Sequence, residues 1–358
     1  MLKDISKEYA LFVTLISLVL FTIYEHTLAQ SNTGNIIGFI TLFAIIIYAS
    51  LSVAHHAEML AEKFGEPYGT LILTMSAVTV EVMIIAIMML HSENPTLARD
   101  TIYSAIMLDI NGLLGVAAII GGLKFGEQPY NVDSSNSYLS MLIVAIGISM
   151  VLPHFIGEAH IAIFMSFIVV VFILLYLVFT KVQLKNHKYF FEYTENQNSI
   201  DTYSHSHDNI NGWYHAILLV VYILMIGFLS EILSVFMEHN LQELGLPLSL
   251  GAVGVAVISA SPELIVAFRA ALENRMQTVV NIALGASLAT ILLTVPSVII
   301  ISVVSGVDIE LAITPLQGIL LGLTLLVSIV NFNDGETNML EGFLHFILFI
   351  VFAFVIFI

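Results

Sequence analysis

The sequence contains no cysteine. Disulfides and thiolate metal sites are therefore excluded, and a bound metal ion would have to rely on Asp, Glu, His, hydroxyl or backbone carbonyl groups. Charge is scarce as well: Asp, Glu, Lys and Arg make up 10% of the 358 residues against 58% hydrophobic, with mean hydropathy +0.98. That leaves too little polar surface to cover a soluble globule, so the chain is a polytopic membrane protein bound by the lipid bilayer. Basic residues are the rarest charges, 10 Lys and Arg against 27 Asp and Glu, for a net charge of -17. This balance argues against nucleic acid as a partner and makes a cation the natural cargo. No P-loop is present, so an ATP-driven pump is unsupported. The stretch HHAEMLAE, which begins at His55, gives His-His-x-Glu where a zinc protease needs His-Glu-x-x-His, and no enzymatic activity is expected.

With about 20 apolar residues per crossing, eleven spans are expected. They lie near residues 10–29, 35–61, 68–90, 98–122, 137–156, 159–181, 213–237, 247–271, 276–304, 309–330 and 338–358. The first follows Lys3 and Lys7 but is too long for a signal peptide and ends in Glu25 and His26 without a small-residue cleavage site. A cytoplasmic N-terminus and alternating spans put Lys3, Lys7, Lys63, Lys124, Lys181, Lys185, Lys188, Arg269 and Arg275 at cytoplasmic ends, with only Arg99 outside. The positive-inside rule thus supports both count and orientation.

Two glutamates interrupt long apolar stretches, Glu81 in SAVTVEVMIIAIMML and Glu263 in AVGVAVISASPELIVAF. A carboxylate at membrane depth is costly and marks an ion or proton path. Glu81 lies on the third span and Glu263 on the eighth; helices five apart run in opposite directions, which is an inverted-topology repeat. The expected organisation is an all-α membrane protein with an extra N-terminal helix (1–34), a first repeat (35–181), a polar cytoplasmic linker (182–212) and a second repeat (213–358). Such repeats place a site near the midplane and let access alternate between sides.

Other polar groups fall in similar register. The second span carries His55, His56 and Glu58, and its partner carries Ser230 and Glu231. The fourth adds Ser104, Asp109 and Asn111, and the ninth Asn281, Ser287 and Thr290. No Lys or Arg lies deep enough to pair with Glu58, Glu81, Asp109, Glu231 or Glu263, so cations or protons must neutralise them. Carboxylates, hydroxyls and carbonyls are hard donors that suit calcium, with sodium and potassium open as well. Pro262 disfavours helix at Ser261 and frees the carbonyl near Ile258, a ready cation ligand; Thr79 and Ser76 flank Glu81. The expected metal-ligating set is Glu81, Glu263, Ser261, Thr79 and Asn281; Glu58, Glu231, Asp109 and His55 are candidates for a proton path. Desolvation favours the neutral form of a carboxylate, so one site can hold a cation or protons but not both fully, as an antiporter requires. No cofactor is expected. A channel fits less well, because a filter ring needs symmetry-related copies around an open pore.

The stretches SAVTVEVMIIAIMM and SASPELIVAFRAALENRMQTVVNIALGASLATILLTVP, with RDTIYSAIM continuing the first, resemble the two signatures of the cation/calcium exchanger superfamily, specifically the bacterial calcium/proton antiporters of the ChaA type. The resemblance covers nearly the whole chain. It implies a cell-membrane antiporter that exports calcium against entering protons, with Glu81 and Glu263 as central ligands assisted by Ser261 and nearby carbonyls. Many members carry a Gly-Asn pair four and three residues before each glutamate; here Ala77 and Val78, then Ser259 and Ala260, stand there, which leaves sodium or potassium/proton exchange open.

Several features have plainer readings. His55 and His56 are adjacent and cannot share one helix face. The linker histidines His187, His205 and His207 lack regular ligand spacing and read as a disordered linker. Gly318 and Gly322 form a GxxxG, usually a close-packing device, which also leaves a homo-oligomer open. Asp100 beside Arg99 suits the start of its helix.

Overall fold

The computed structural model describes residues 8–64, 68–91, 94–183 and 211–357. Its hydrophobic runs become helices because a backbone crossing hydrocarbon has to satisfy its own hydrogen bonds. Among the described residues there are eleven: α1 (Tyr9–Ala29), α2 (Asn32–Phe64), α3 (Tyr68–His91), α4 (Leu97–Phe125), α5 (Val132–Phe155), α6 (Glu158–Lys181), α7 (Gly212–Glu243), α8 (Ser249–Leu272), α9 (Met276–Ser305), α10 (Pro315–Asn331) and α11 (Met339–Val355). Nine are long and apolar enough to cross a membrane; α10 and α11 are shorter apolar helices. Two short strands, β1 (Glu127–Pro129) and β2 (Glu336–Asn338), make the fold nearly rather than wholly helical.

Burial sorts the helices into a core and a lipid-facing ring. The most apolar window of α4 is 72% buried and those of α8 and α9 are 61% buried, against 11% for α1 and 17% for α6. The packing follows a two-fold pattern between α2–α6 and α7–α11. First helices pack together (α2 on α7), as do second (α3 on α8), third (α4 on α9) and fourth (α5 on α10). Crossed pairs match too: α5 and α6 pack on α9 as α10 and α11 pack on α4. Helix α1 lies outside this pattern, against α2 and α7. This is the expected arrangement of an extra helix and two five-helix repeats.

Polar ties join helix ends at opposite faces and fix the alternation of the spans. At one face the antiparallel pair β1–β2 aligns Glu127 with Asn338 and Pro129 with Glu336, so the end of α4 and the start of α11 meet. Lys124 Nζ donates to the Leu272 carbonyl at 2.8 Å, and the Gln277 side chain both accepts from the Asn131 amide and donates to Ser134 Oγ. At the other face the start of α4 meets the loop after α9: buried Arg99 pairs with Asp100 at 2.9 Å and with Glu310 at 3.3 Å, and donates to the Ala312 carbonyl. Asp100 in turn accepts from Gln317 at the start of α10. Of the described basic residues, Lys63, Lys124, Lys181, Arg269 and Arg275 sit at helix ends on the first face and Arg99 alone at the second.

Three expectations are revised. The tenth span begins at Pro315 rather than 309, because Thr314 and Gln317 form a reciprocal capping box and Glu310, Ala312 and Ile313 are tied as extended chain to neighbouring segments. Pro262 does not break α8, which runs through it while the Ser259 and Ser261 hydroxyls bond the Ala256 and Val257 carbonyls. Gly318 and Gly322 are not a close-packing seam within the chain: a methyl at Gly322 would touch nothing within 4 Å and one at Gly318 only the Ile313 side chain. Close helix approach uses Gly115 and Gly342 instead, where α11 crosses α4 and a methyl at Gly342 would meet the Gly115 carbonyl at 2.7 Å. The linker histidines lie outside the described residues.

Candidate functional site

The second and third helices of each repeat line a small central cavity. On α3 it is lined by Ala77, Val78 and Glu81, and on α8 by Ser259, Ala260 and Glu263. Both sets are spaced i, i+1, i+4, which places them on one helix face. On α4 the lining residues are Ala105 and Asp109, and on α9 Ala286 and Thr290, again with identical spacing. The cavity is therefore two-fold in position, five residues from each half in matching places. Its alanines make room, and its oxygen-bearing side chains face one another across that room.

Charge breaks the two-fold at one pair: Asp109 of the first half corresponds to Thr290 of the second. Both sit in π-helical turns, Leu108–Leu113 in α4 and Thr290–Thr294 in α9. A π turn carries one extra residue, which reorients the side chains on either side of it and is common at functional positions. In α9 that turn aims both Thr290 and Thr294 at Glu81, whose Oε2 accepts from their hydroxyls at 2.9 and 3.0 Å. Ser287, one helical turn earlier, donates to Asp109 Oδ2 at 3.1 Å.

Glu81, Asp109 and Glu263 are 3%, 2% and 5% exposed. Glu81 Oε1 and Asp109 Oδ1 are buried without a hydrogen-bond partner, and no described residue donates to the Glu263 carboxylate. No Lys, Arg or His lines the cavity. Buried carboxylates without a basic partner need a cation or protons for neutrality, and their free oxygens are hard donors. Among the described residues no three acidic or imidazole side chains converge to metal-holding distance, the three in the cavity included.

The structure brings Glu81 and Glu263 together and sets Asp109 beside them. The other expected ligands lie elsewhere. Thr79 is exposed on the far face of α3 and bonds the Met75 carbonyl. Ser261 bonds back to its own helix, and Ser259 takes the lining position two residues earlier. Asn281 is buried in a separate cavity with Thr74, Tyr138, Tyr176 and Gln183, where its Oδ1 accepts from Gln277. Glu58 is half-buried on α2. Glu231 is not buried as expected: its side chain is 51% exposed and lies 3.5 Å from His91. His55 is exposed, while His56 is buried against Tyr222 and His215. Thr290 and Thr294 carried one available signal: Ala286 and Thr290 repeat the spacing of Ala105 and Asp109 in the helix that follows each glutamate.

Comparison with known proteins gives a consistent result. The family model described as sodium/calcium exchanger protein matches residues 34–184 and 214–358. The chain is 31% identical over 364 residues to the sodium-potassium/proton antiporter ChaA of Escherichia coli (strain K12), covering 99% of this chain and 98% of the relative. It is 25% identical over 328 residues to the Ca(2+)/H(+) antiporter of Aphanothece halophytica, covering 87% of this chain and 88% of the relative. Among solved structures, native YfkE superposes with a TM-score of 0.76 at 19% identity, over 97% of this chain and 99% of that one.

Proposed function

Since the chain belongs to the sodium/calcium exchanger protein family, a family of membrane transporters, we propose that it is a secondary antiporter exchanging calcium for protons by alternating access, in the direction of calcium export. The observation that carries this reading is the buried cavity with three carboxylates and no basic side chain. A divalent cation is the cargo that best neutralises such a set, because calcium takes six to eight oxygen ligands and favours carboxylates. Glu81 and Glu263 are its central ligands, one from each repeat. Asp109 is the third acid, with Thr290 and Ser259 supplying hydroxyl oxygen.

Transport follows from the same groups. With the cation gone, each desolvated carboxylate takes up a proton, since the neutral form is the one a dry site tolerates. A protonated site no longer holds the cation, so entry of protons from one side and cation from the other are mutually exclusive. The hydroxyls of Thr290 and Thr294 fix Glu81 in either condition, because a hydroxyl both donates and accepts. Helices α3 and α8 belong to different repeats, so rocking of the repeats changes which side the two glutamates face.

Sodium or potassium/proton exchange is the second reading. It is favoured by the sodium-potassium/proton exchange for which the Escherichia coli relative is named and by the absence, among the described residues, of three acids converged to metal-holding distance. The deciding experiment is proton flux in liposomes holding the purified protein under an imposed pH gradient, with calcium, sodium or potassium added in turn. Collapse of the gradient by calcium, lost in Glu81→Gln and Glu263→Gln, supports the first reading. A response to sodium or potassium alone selects the second, and unchanged flux in both variants removes the site.

A further inference from the structure

Behind Asp109, away from the cavity, lies a polar cluster that the transport cycle above does not use. Asn111 occupies the same π turn, Leu108–Leu113, and is fully buried. Its Nδ2 donates to Thr324 Oγ1 of α10 at 2.8 Å, and its Oδ1 lies 3.0 Å from His345 Nδ1 of α11. Thr324 is fully buried and His345 is 1% exposed. Because Asn111 spends its amide nitrogen on Thr324, its oxygen must accept, so Nδ1 of His345 carries the ring proton. Nε2 is then a buried nitrogen lone pair, and it has no hydrogen-bond partner. Phe332 stacks on the imidazole with ring centroids 5.9 Å apart and planes 14° from parallel.

A histidine is a costly way to fill that space. An aromatic hydrocarbon would stack on Phe332 equally well and would not bury an orphan nitrogen, which is destabilising. What the hydrocarbon cannot supply is the N–H that holds Asn111. The turn needs holding, because a π turn sets the direction of its side chains through one extra residue, and among the described residues Asp109 has only the Ser287 hydroxyl to orient it. The second half has no such brace: the place matching Asn111 in the turn Thr290–Thr294 is Leu292, buried and apolar, and the cavity residue there is an uncharged threonine.

We propose that His345 and Thr324 are positioning residues: acting through Asn111, they lock the π turn that aims Asp109 into the cation cavity. The inference rests on Asp109 being a cation ligand, so the test carries a control for that premise. Calcium binding to the purified full-length protein is measured by calorimetry, with sodium in parallel, alongside thermal unfolding of each variant. Asp109→Asn should weaken binding of the transported cation. If it binds as wild type does, the ligand reading fails and this inference falls with it.

Given a weakened Asp109→Asn, His345→Phe should lower affinity about tenfold or more, in the range typical of groups that orient a metal ligand, while His345→Asn, which keeps a donor near the Nδ1 position, should stay within about threefold of wild type. Phe332→Leu removes the stacking but leaves the N–H, and should lower the unfolding temperature without changing affinity. Wild-type affinity in His345→Phe overturns the proposal, as does an equal loss in His345→Asn or in Phe332→Leu. Should His345→Phe fail to fold, Thr324→Val, which deletes the other anchor of Asn111, carries the same expectation and is overturned by wild-type affinity.

Discussion

Thr290 on α9 donates a 2.9 Å hydrogen bond to Glu81 on α3, while holding in the second half of the chain the place that Asp109 holds in the first. One position of the repeat thus supplies a charge in one half and a fixing hydroxyl in the other. The cavity is two-fold in shape and lopsided in charge.

Exchanging the two residues tests that relationship. Asp109→Thr alone should abolish most transport by removing a carboxylate. Adding Thr290→Asp restores the number of charges in the same cavity, and the double variant should recover part of the lost flux. No recovery, in a double variant that unfolds at the wild-type temperature, would show that the side on which the third acid lies matters as much as its charge.

The hydroxyls on Glu81 have a measurable share of their own. Thr294→Val leaves Glu81 Oε2 with Thr290 as its only donor. A hydrogen bond to a charged group is worth about 1.5–3 kcal/mol, but this one is present with and without the cation, so only its orienting share is lost and the apparent affinity for the cation should fall by less than about tenfold. Initial rates of flux against cation concentration give the value.

At the face where α4 begins, Arg99 pairs with Asp100 and Glu310, and its side chain is 8% exposed. Arg99→Gln strands a buried Asp100, and breaking such a pair costs about 3–5 kcal/mol. Lower yield and a lower unfolding temperature in detergent are expected. By contrast, Glu231→Gln touches a pair exposed on both sides, worth about 0–1 kcal/mol, and should leave both stability and flux close to wild type.

Glycines that look alike in sequence should behave differently. Gly342→Ala pushes a methyl against the Gly115 carbonyl and the Ile119 amide, both 2.7 Å away, and overpacking of this kind costs about 1–3 kcal/mol. Gly322→Ala meets nothing within 4 Å and should be silent in thermal unfolding. A loss on Gly322→Ala would point to a second copy of the chain packed on that face of α10.

The sequence showed the eleven helices and the pairing of Glu81 with Glu263, because long apolar runs, and a charge inside one, are conspicuous and the two glutamates stand in corresponding places. It also contained the lining face: residues two apart on a helix point nearly opposite ways, so Thr79 and Ser261 face away from their glutamates, and Ala77 and Ser259, four before, face with them. Other features were hidden for physical reasons. The aim of Asp109 depends on a π turn whose extra residue leaves no signature in composition. The exposure of Glu231 depends on which side of an evenly apolar helix meets lipid, and periodicity does not mark that side. The loop before α10 reads as membrane because Leu311, Ala312 and Ile313 are apolar, yet they are buried against protein rather than in a helix.

The strand pair Glu127–Pro129 with Glu336–Asn338 also bears on biosynthesis. The first strand leaves the ribosome long before its partner, and nothing closer in the chain completes its ladder. Until β2 is made the edge after α4 stays unpaired, and until α11 is made the glycine face of α4 has no mate. Contacts of such long sequence separation form late and slowly. Closure of the cation cavity's supporting wall therefore waits on α11, and a chain that stalls within that helix would carry all three cavity acids in a bundle missing the wall behind Asp109.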